Sequence, residues 1–263
     1  MIFNPKRSLG QNFLVDDKIL NKIIDIANID FENVVIEVGP GKGALTDKIF
    51  EKKPRKLTVI EKDERLYKFL NKKFGSKIDI INNDMMKISY EKYLEENLII
   101  FGNLPYNIST QILTKWIKIN NLEKFCKKLI LMFQKEVADR IIAETNTKNY
   151  GRLSIISNWK MQIEKIIDIE PRSFSPSPKV KSTLLVFVPK KQYHIIKDPK
   201  NLEHITNIFF SQRRKMIKKP LSILFNDIDQ VSEKLSLDLN MRPQNIDTIT
   251  YFKICELYET LIN

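Results

Sequence analysis

The string Phe101-Gly102-Asn103-Leu104-Pro105-Tyr106 sets an amide side chain beside a proline-stiffened backbone and an aromatic ring. That grouping suits one kind of chemistry. The exocyclic amine of adenine is a poor nucleophile because its lone pair is delocalised into the ring. Two acceptors, the Asn103 side-chain oxygen and the Leu104 backbone carbonyl, can draw the nitrogen toward a tetrahedral shape and aim its lone pair at an incoming methyl group, so that alignment and electrostatics supply the catalysis. No strong base is needed before attack, since the proton can leave once the new bond begins to form. Tyr106 offers a ring on which a base taken out of its helix can stack. An ordinary asparagine-proline turn that caps a helix would also explain Asn103 and Pro105, but not their place at a strand end opposite a glycine loop.

That loop is Glu37-Val38-Gly39-Pro40-Gly41-Lys42-Gly43-Ala44, which follows the first of the strands predicted below and opens a helix. Glycine is used there because the backbone must turn tightly and let a ligand approach. Glu61, at the end of the next predicted strand, can accept from both ribose hydroxyls of an adenosine. Asp84, after the third, can accept from an adenine amine. Gly39, Glu61 and Asp84 all lie at carboxyl ends of strands, where open α/β sheets bind ligands. The loop also satisfies G-x-G-x-x-A, which makes a nicotinamide dinucleotide a competitor. Pro40 inside the turn, Glu37 just before it and the acidic strand ends favour a cationic sulfonium without phosphates, S-adenosyl-L-methionine. Taken singly, Glu61 and Asp84 read equally well as solvated carboxylates.

These groups need a scaffold that brings strand ends together. Short β-rich runs at 34–38, 56–60, 78–82, 98–101 and 129–133 alternate with helical periodicity at 44–51, 64–73, 109–119 and 134–144, which argues for a parallel sheet with crossover helices. After Gly151, two extended segments, 153–169 and 183–188, are expected to pair antiparallel at the sheet edge. Between them, Pro171-Arg172-Ser173-Phe174-Ser175-Pro176-Ser177-Pro178 forbids helix, and Phe174 there could close the second face of a stacked base or simply anchor the loop in a core. From about 201 onward the pattern is helical, with breaks expected at Pro220 and Pro243. The domains expected are 1–192, binding cofactor and carrying catalysis, and 193–263, a small all-α unit.

Composition bounds the partners. A chain of 263 residues with 43% apolar content can bury an α/β core with a second small domain to spare. Its charge of +12, from 44 Lys and Arg against 32 Asp and Glu, suits a polyanion, although the Lys, Ile and Asn bias of AT-rich coding would raise it too. Cys126 and Cys255 lack metal or disulfide spacing and read as buried thiols, while His194 and His204 read as surface residues, so no metal is expected. The N-terminal residues Met1 to Arg7 contain no signal-type apolar stretch and no run spans a bilayer. A cytoplasmic protein without membrane contact is expected.

These strings together resemble the ribosomal RNA adenine dimethyltransferase family, in particular its small-subunit branch, nearly end to end. Lys6-Arg7-Ser8-Leu9-Gly10-Gln11-Asn12-Phe13-Leu14 is similar to the family's N-terminal cofactor-lid segment, Asn103-Leu104-Pro105-Tyr106 to its catalytic motif, and Phe174 to Ser182 to its F-x-P-x-P-x-V-x-S loop. Phe209 to Lys215 and Arg242-Pro243-Gln244-Asn245-Ile246 match the small-subunit branch. The resemblance implies a Rossmann-like class I methyltransferase sheet, mostly parallel with an antiparallel edge strand, and a cofactor site lined by Asn12, Leu14, Gly39, Glu61, Asp84 and Asn103. It implies N6-dimethylation of two adjacent adenines in a hairpin loop near the 3′ end of small-subunit (16S) ribosomal RNA, with the small ribosomal subunit as partner, a role in its maturation, and a monomeric enzyme. Arg213, Arg214 and Lys215 are the expected RNA contacts. The rivals are the large-subunit RNA methyltransferases, DNA adenine methyltransferases and a non-catalytic assembly factor on the same fold.

Overall fold

A computed structural model describes residues 5, 10–88 and 95–261. Its strands are β1 (Phe13–Leu14), β2 (Val34–Val38), β3 (Lys56–Glu61), β4 (Asp79–Asn82), β5 (Leu98–Asn103), β6 (Cys126–Gln134), β7 (Met161–Ile169), β8 (Phe174–Ser175) and β9 (Ser182–Pro189). Its helices are α1 (Asp17–Ala27), α2 (Ala44–Glu51), α3 (Glu64–Phe74), α4 (Ser109–Ile117), α5 (Leu122–Phe125), α6 (Lys135–Ile141), α7 (Arg152–Lys160), α8 (Pro199–Ser211), α9 (Lys218–Leu224), α10 (Ile228–Leu235) and α11 (Thr248–Leu261).

Two compact units result, each taken over its described residues: Met1–Ala138 with Gln162–Pro189, and Asp139–Met161 with Lys190–Asn263. This division differs from the 1–192 and 193–263 scheme, because residues 139–161 pack with the C-terminal helices.

The first unit holds a seven-stranded sheet in the order β4-β3-β2-β5-β6-β9-β7. Pairing is parallel from β4 through β6 and antiparallel between β6 and β9. The sequence order reverses about β2, with β3 on one side and β5 on the other, which is where such sheets bind ligands. β2 and residues 98–102 of β5 are buried throughout, as expected of strands covered on both faces. The core on one face joins Leu20, Ile23, Ile24 and Ala27 of α1 to Val35, Val59, Phe101 and Ile130 of the sheet. That i, i+3, i+4, i+7 spacing makes α1 amphipathic, and the Asp16 side chain caps it by accepting from Lys18 N and Ile19 N. A two-stranded pair of β1 with β8, Phe13 opposite Ser175 and Leu14 opposite Phe174, ties the N-terminal segment to the proline-rich loop.

Four expectations need correction or refinement. Residues 153–160 are not extended but form α7; seven of its nine residues are buried, so no polar face betrays the helix. Within the second unit α7 packs on α8 and α11, and Trp159 Nε1 donates to His194 O at 2.8 Å. Only 161–169 is strand there. Pro220 does not break the chain: it sits in the first turn of α9, where its missing N–H is not needed. Pro243 opens a short 3-10 turn, Pro243–Asn245. His204 is exposed, but His194 is half-buried and bonded to Glu256 Oε1 at 2.9 Å. Both cysteines are buried, and burial pushes the Cys126 thiol up to about 12. Among the described residues no helix is long and apolar enough to cross a membrane.

Candidate functional site

The carboxyl ends of β2, β3, β4 and β5 meet at a cleft in the first unit, open to solvent and lined on one side by residues 10–13. Asn12, Gly39, Glu61, Asp84 and Asn103 line it, as do Leu104, Pro105 and Tyr106. The two strings that sequence reading assigns to cofactor and target base therefore face one space.

The floor is built from glycine backbone. Gly39 N donates to Ile60 O at 3.0 Å, and a side chain on Gly39 would begin 3.4 Å from Asn103 O. At Gly41 the constraint is tighter: its φ is +58°, and a Cβ would lie 2.5 Å from the Phe13 ring, which rests on the loop. Only glycine allows that approach.

Glu61, the last residue of β3, is 7% exposed. One carboxylate oxygen accepts from Asp63 N at 2.8 Å and the other from Gly41 N at 3.3 Å. Burial nevertheless wins and pushes its carboxyl up to about 7. A buried carboxylate in that condition gains from further hydrogen-bond donors, and ribose hydroxyls are such donors. Asp84 differs. Its Oδ2 pairs with Lys62 Nζ at 2.8 Å and its Oδ1 accepts from Met86 N at 2.9 Å, and the Lys62 contact holds its carboxyl below the usual range. Glu37 does not reach the cavity; it is buried, accepts from Thr46 Oγ1 at 2.6 Å, and burial pushes it up to about 8. Its part is to join β2 to α2.

β5 runs two residues beyond the predicted end, so Asn103 is its last residue. Its Nδ2 donates to Asn12 O at 2.8 Å. Because a carbonyl can only accept, this bond fixes which end of the amide faces where, and Oδ1 is left as the acceptor. Tyr106 is half-buried, and its Oη shares a 2.7 Å hydrogen bond with Ser182 Oγ; burial raises its phenol.

Leu14 and Phe174 are not among the lining residues. Both are buried in the core, paired across the β1–β8 ladder, because alternation along β1 sends Leu14 into the core with its partner Phe174 while the Phe13 ring goes to the glycine loop. Of the two readings left open for Phe174, its position matches the loop anchor. In the second unit, Arg213 is half-buried, donating from Nε to Gln244 Oε1 at 3.2 Å and from Nη2 to Thr147 O at 3.1 Å. Arg214 and Lys215 are exposed. Residues 6–9 of the N-terminal string expected to cover the cofactor lie outside the described residues.

Sequence reading missed several contributors. Gln11 Nε2 donates to Asp63 Oδ2 at 3.1 Å, and Asp63, with no exposed side-chain surface, also holds Arg65 Nη2 at 2.7 Å. Lys115 Nζ donates to Met86 O and Ile88 O at 3.0 and 2.7 Å, pinning the segment that carries Asp84. An aspartate before Glu64 is a helix-start signal that could have flagged Asp63; nothing local marks Lys115.

A family model described as ribosomal RNA adenine dimethylase matches residues 2–261. A ribosomal RNA small subunit methyltransferase A from Pelagibacter ubique is 54% identical over 261 residues, 99% of either chain. One from Wolbachia sp. subsp. Drosophila simulans is 42% identical over 256 residues, 95% of this chain and 92% of that one. Among solved structures, a dimethyladenosine transferase from Plasmodium falciparum superposes with a TM-score of 0.82 at 25% identity, covering 94% of this chain and 98% of that one. The fold is shared with the 23S rRNA methyltransferase ErmE, TM-score 0.66 at 22% identity, 93% and 100% covered. With a family model spanning nearly every residue and a cavity lined by both the glycine loop and the Asn103 motif, the chain belongs to the ribosomal RNA adenine dimethylase family.

Proposed function

We propose that this chain dimethylates the N6 amines of two adjacent adenines in a hairpin loop near the 3′ end of small-subunit ribosomal RNA, as a cytoplasmic step of small-subunit maturation. The observation that supports it most is the shared cavity: Asn103 stands across one space from Glu61 and Asp84. S-adenosyl-L-methionine supplies, when bound, a methyl group activated by a sulfonium. The donor set suits it, with the carboxylates of Glu61 and Asp84 in the lining and a glycine floor where a Cβ would intrude. In this reading Glu61 accepts the ribose hydroxyls, Asp84 the adenine amine of the cofactor, and the Asn12 segment covers them.

At the target base, Asn103 Oδ1 and the Leu104 carbonyl accept the two amine hydrogens, which turns the nitrogen lone pair out of the ring plane. Pro105 keeps the two acceptors in register, and Tyr106 stacks the extruded base. Leu14 and Phe174 act behind the site by anchoring β1 and β8. Arg214 and Lys215 meet RNA phosphates from the second unit, which serves as the RNA-recognition part of the enzyme, and the enzyme works as a monomer.

The test is to incubate the protein with labelled S-adenosyl-L-methionine and unmethylated small subunits, large subunits or duplex DNA, then map the product base. Label confined to N6 of adjacent adenines in small-subunit RNA is the expected result. Label in large-subunit RNA or DNA, or none at all, would overturn the reading.

A further inference from the structure

We infer that Ser182 is a positioning residue for the target-base site, holding the Tyr106 ring in its stacking pose through the hydrogen bond at the far end of that ring. The inference rests on the reading of Tyr106 as the stacking surface for the extruded adenine.

A tyrosine side chain turns about two torsions. Its near end is set by the backbone, and here that backbone is the segment between β5 and α4, where Ile108 N donates to Pro105 O and Ser109 Oγ to Tyr106 O. A ring attached to such a turn keeps one face toward the cavity only if its far end is also held. The 2.7 Å bond between Tyr106 Oη and Ser182 Oγ does this. Ser182 itself is fully buried and does not line the cavity, so it acts through Tyr106 and touches no substrate. It is well placed to be a fixed point. As the first residue of β9 it stands opposite Gln134 in the antiparallel ladder, and the carbonyl of its neighbour Lys181 accepts from Lys135 N at 2.9 Å.

The same observation accounts for the two ends of the proline-rich string. Phe174 enters the core beside Leu14, and eight residues later Ser182 opens β9 and bonds Tyr106 Oη, so the loop is anchored in the core at one end and tied to the stacking ring at the other.

The experiment uses unmethylated small subunits and saturating S-adenosyl-L-methionine, and compares kcat, KM and cofactor Kd for Ser182→Ala, Tyr106→Phe, their double variant and Tyr106→Ala. Loss of one net hydrogen bond at a positioned group should lower kcat/KM about 3- to 10-fold in each of the first two. The double variant should fall no further than either single one, Tyr106→Ala should fall further than both, and cofactor Kd should stay at the parent value throughout. Multiplying losses in the double variant would mean that Ser182 acts by another route and would overturn the inference. Parent-like turnover in both Ser182→Ala and Tyr106→Phe, with Tyr106→Ala impaired, would overturn it and leave the stacking role standing. Parent-like turnover in Tyr106→Ala would remove both.

Discussion

Asn103 could present either end of its amide to a substrate, and the Asn12 carbonyl decides which. With Nδ2 committed to that carbonyl at 2.8 Å, Oδ1 is the end available to an amine. Asn103→Ala removes the acceptor, and losing one preorganised contact to a reacting group costs about a hundredfold to a thousandfold in rate. Asn103→Asp separates this account from one in which any acceptor suffices: a carboxylate has no hydrogen for Asn12 O and sets two oxygens against each other. Its turnover at saturating cofactor should fall by at least tenfold, and parent-like turnover would show that the Asn12 contact orients nothing. Glu61 carries a second prediction. Its carboxyl titrates near 7 because burial outweighs the amides that stabilise its charge. In the proposed binding mode, hydroxyl donors from a bound adenosine would stabilise the carboxylate further, so that binding would lower the pKa and release a proton. Cofactor affinity should therefore rise with pH through about 7 and level off above it, while Glu61→Gln should bind more weakly with that rise removed. Calorimetry at pH 6, 7 and 8 reads both, and an unchanged pH profile in Glu61→Gln would assign the titration elsewhere.

Among the elements, those with local signals were readable and those made by tertiary contact were not. β2 and α2 fall on their predicted bounds, because an apolar run closed by glycines and an amphipathic turn are complete within a few residues. The helix α1 carried a legible spacing and an Asp16 cap that sequence reading passed over. β1 has two residues, too few to show a period, and exists because Phe13 and Leu14 find Ser175 and Phe174 across the chain. The site divides the same way. Gly39, Glu61, Asp84 and Asn103, which line one cavity, were recognisable by type and strand-end position, whereas Asn12 O, Gln11 with Asp63, and Ser182 work through partners 52 to 91 residues away. Such long-range carboxylates also hold the second unit. Glu259 of α11 is 2% exposed and accepts from Lys197 N, Asp198 N and Asn201 Nδ2 at the start of α8. Glu259→Ala strands those donors at about 1–3 kcal/mol each where they stay buried, and the thermal midpoint should fall by on the order of 10 °C. Glu259→Gln, which keeps one acceptor, should lie between. A midpoint within a degree of the parent for Glu259→Ala would show that water replaces the carboxylate.

For the whole molecule, a charge of +12 favours approach to a polyanion but does not say which side chains reach phosphate. The geometry of the Phe209 to Lys215 string separates two roles that composition merges. Arg213 spends its guanidinium on Gln244 and Thr147 within the second unit, whereas Arg214 and Lys215 project into solvent. A side chain that neutralises a phosphate releases a counterion, so each one removed reduces the slope of log K against log salt by about 0.7–0.9. Replacing Arg214 and Lys215 together by serine should flatten the slope by about 1.5 for binding to unmethylated small-subunit RNA, with the thermal midpoint unchanged. Arg213→Ala should do the reverse, lowering the midpoint by a few degrees, since a loss of 1 kcal/mol is worth about 2–4 °C in a chain of this size, while leaving the slope near that of the parent. Filter binding across a salt series and a thermal scan of each variant measure both quantities. If the Arg214 and Lys215 variant keeps the full slope, the phosphate contacts lie elsewhere on the basic surface. If Arg213→Ala flattens the slope at constant stability, its bonds to Gln244 and Thr147 are given up when RNA binds and the arginine belongs with the phosphate contacts after all.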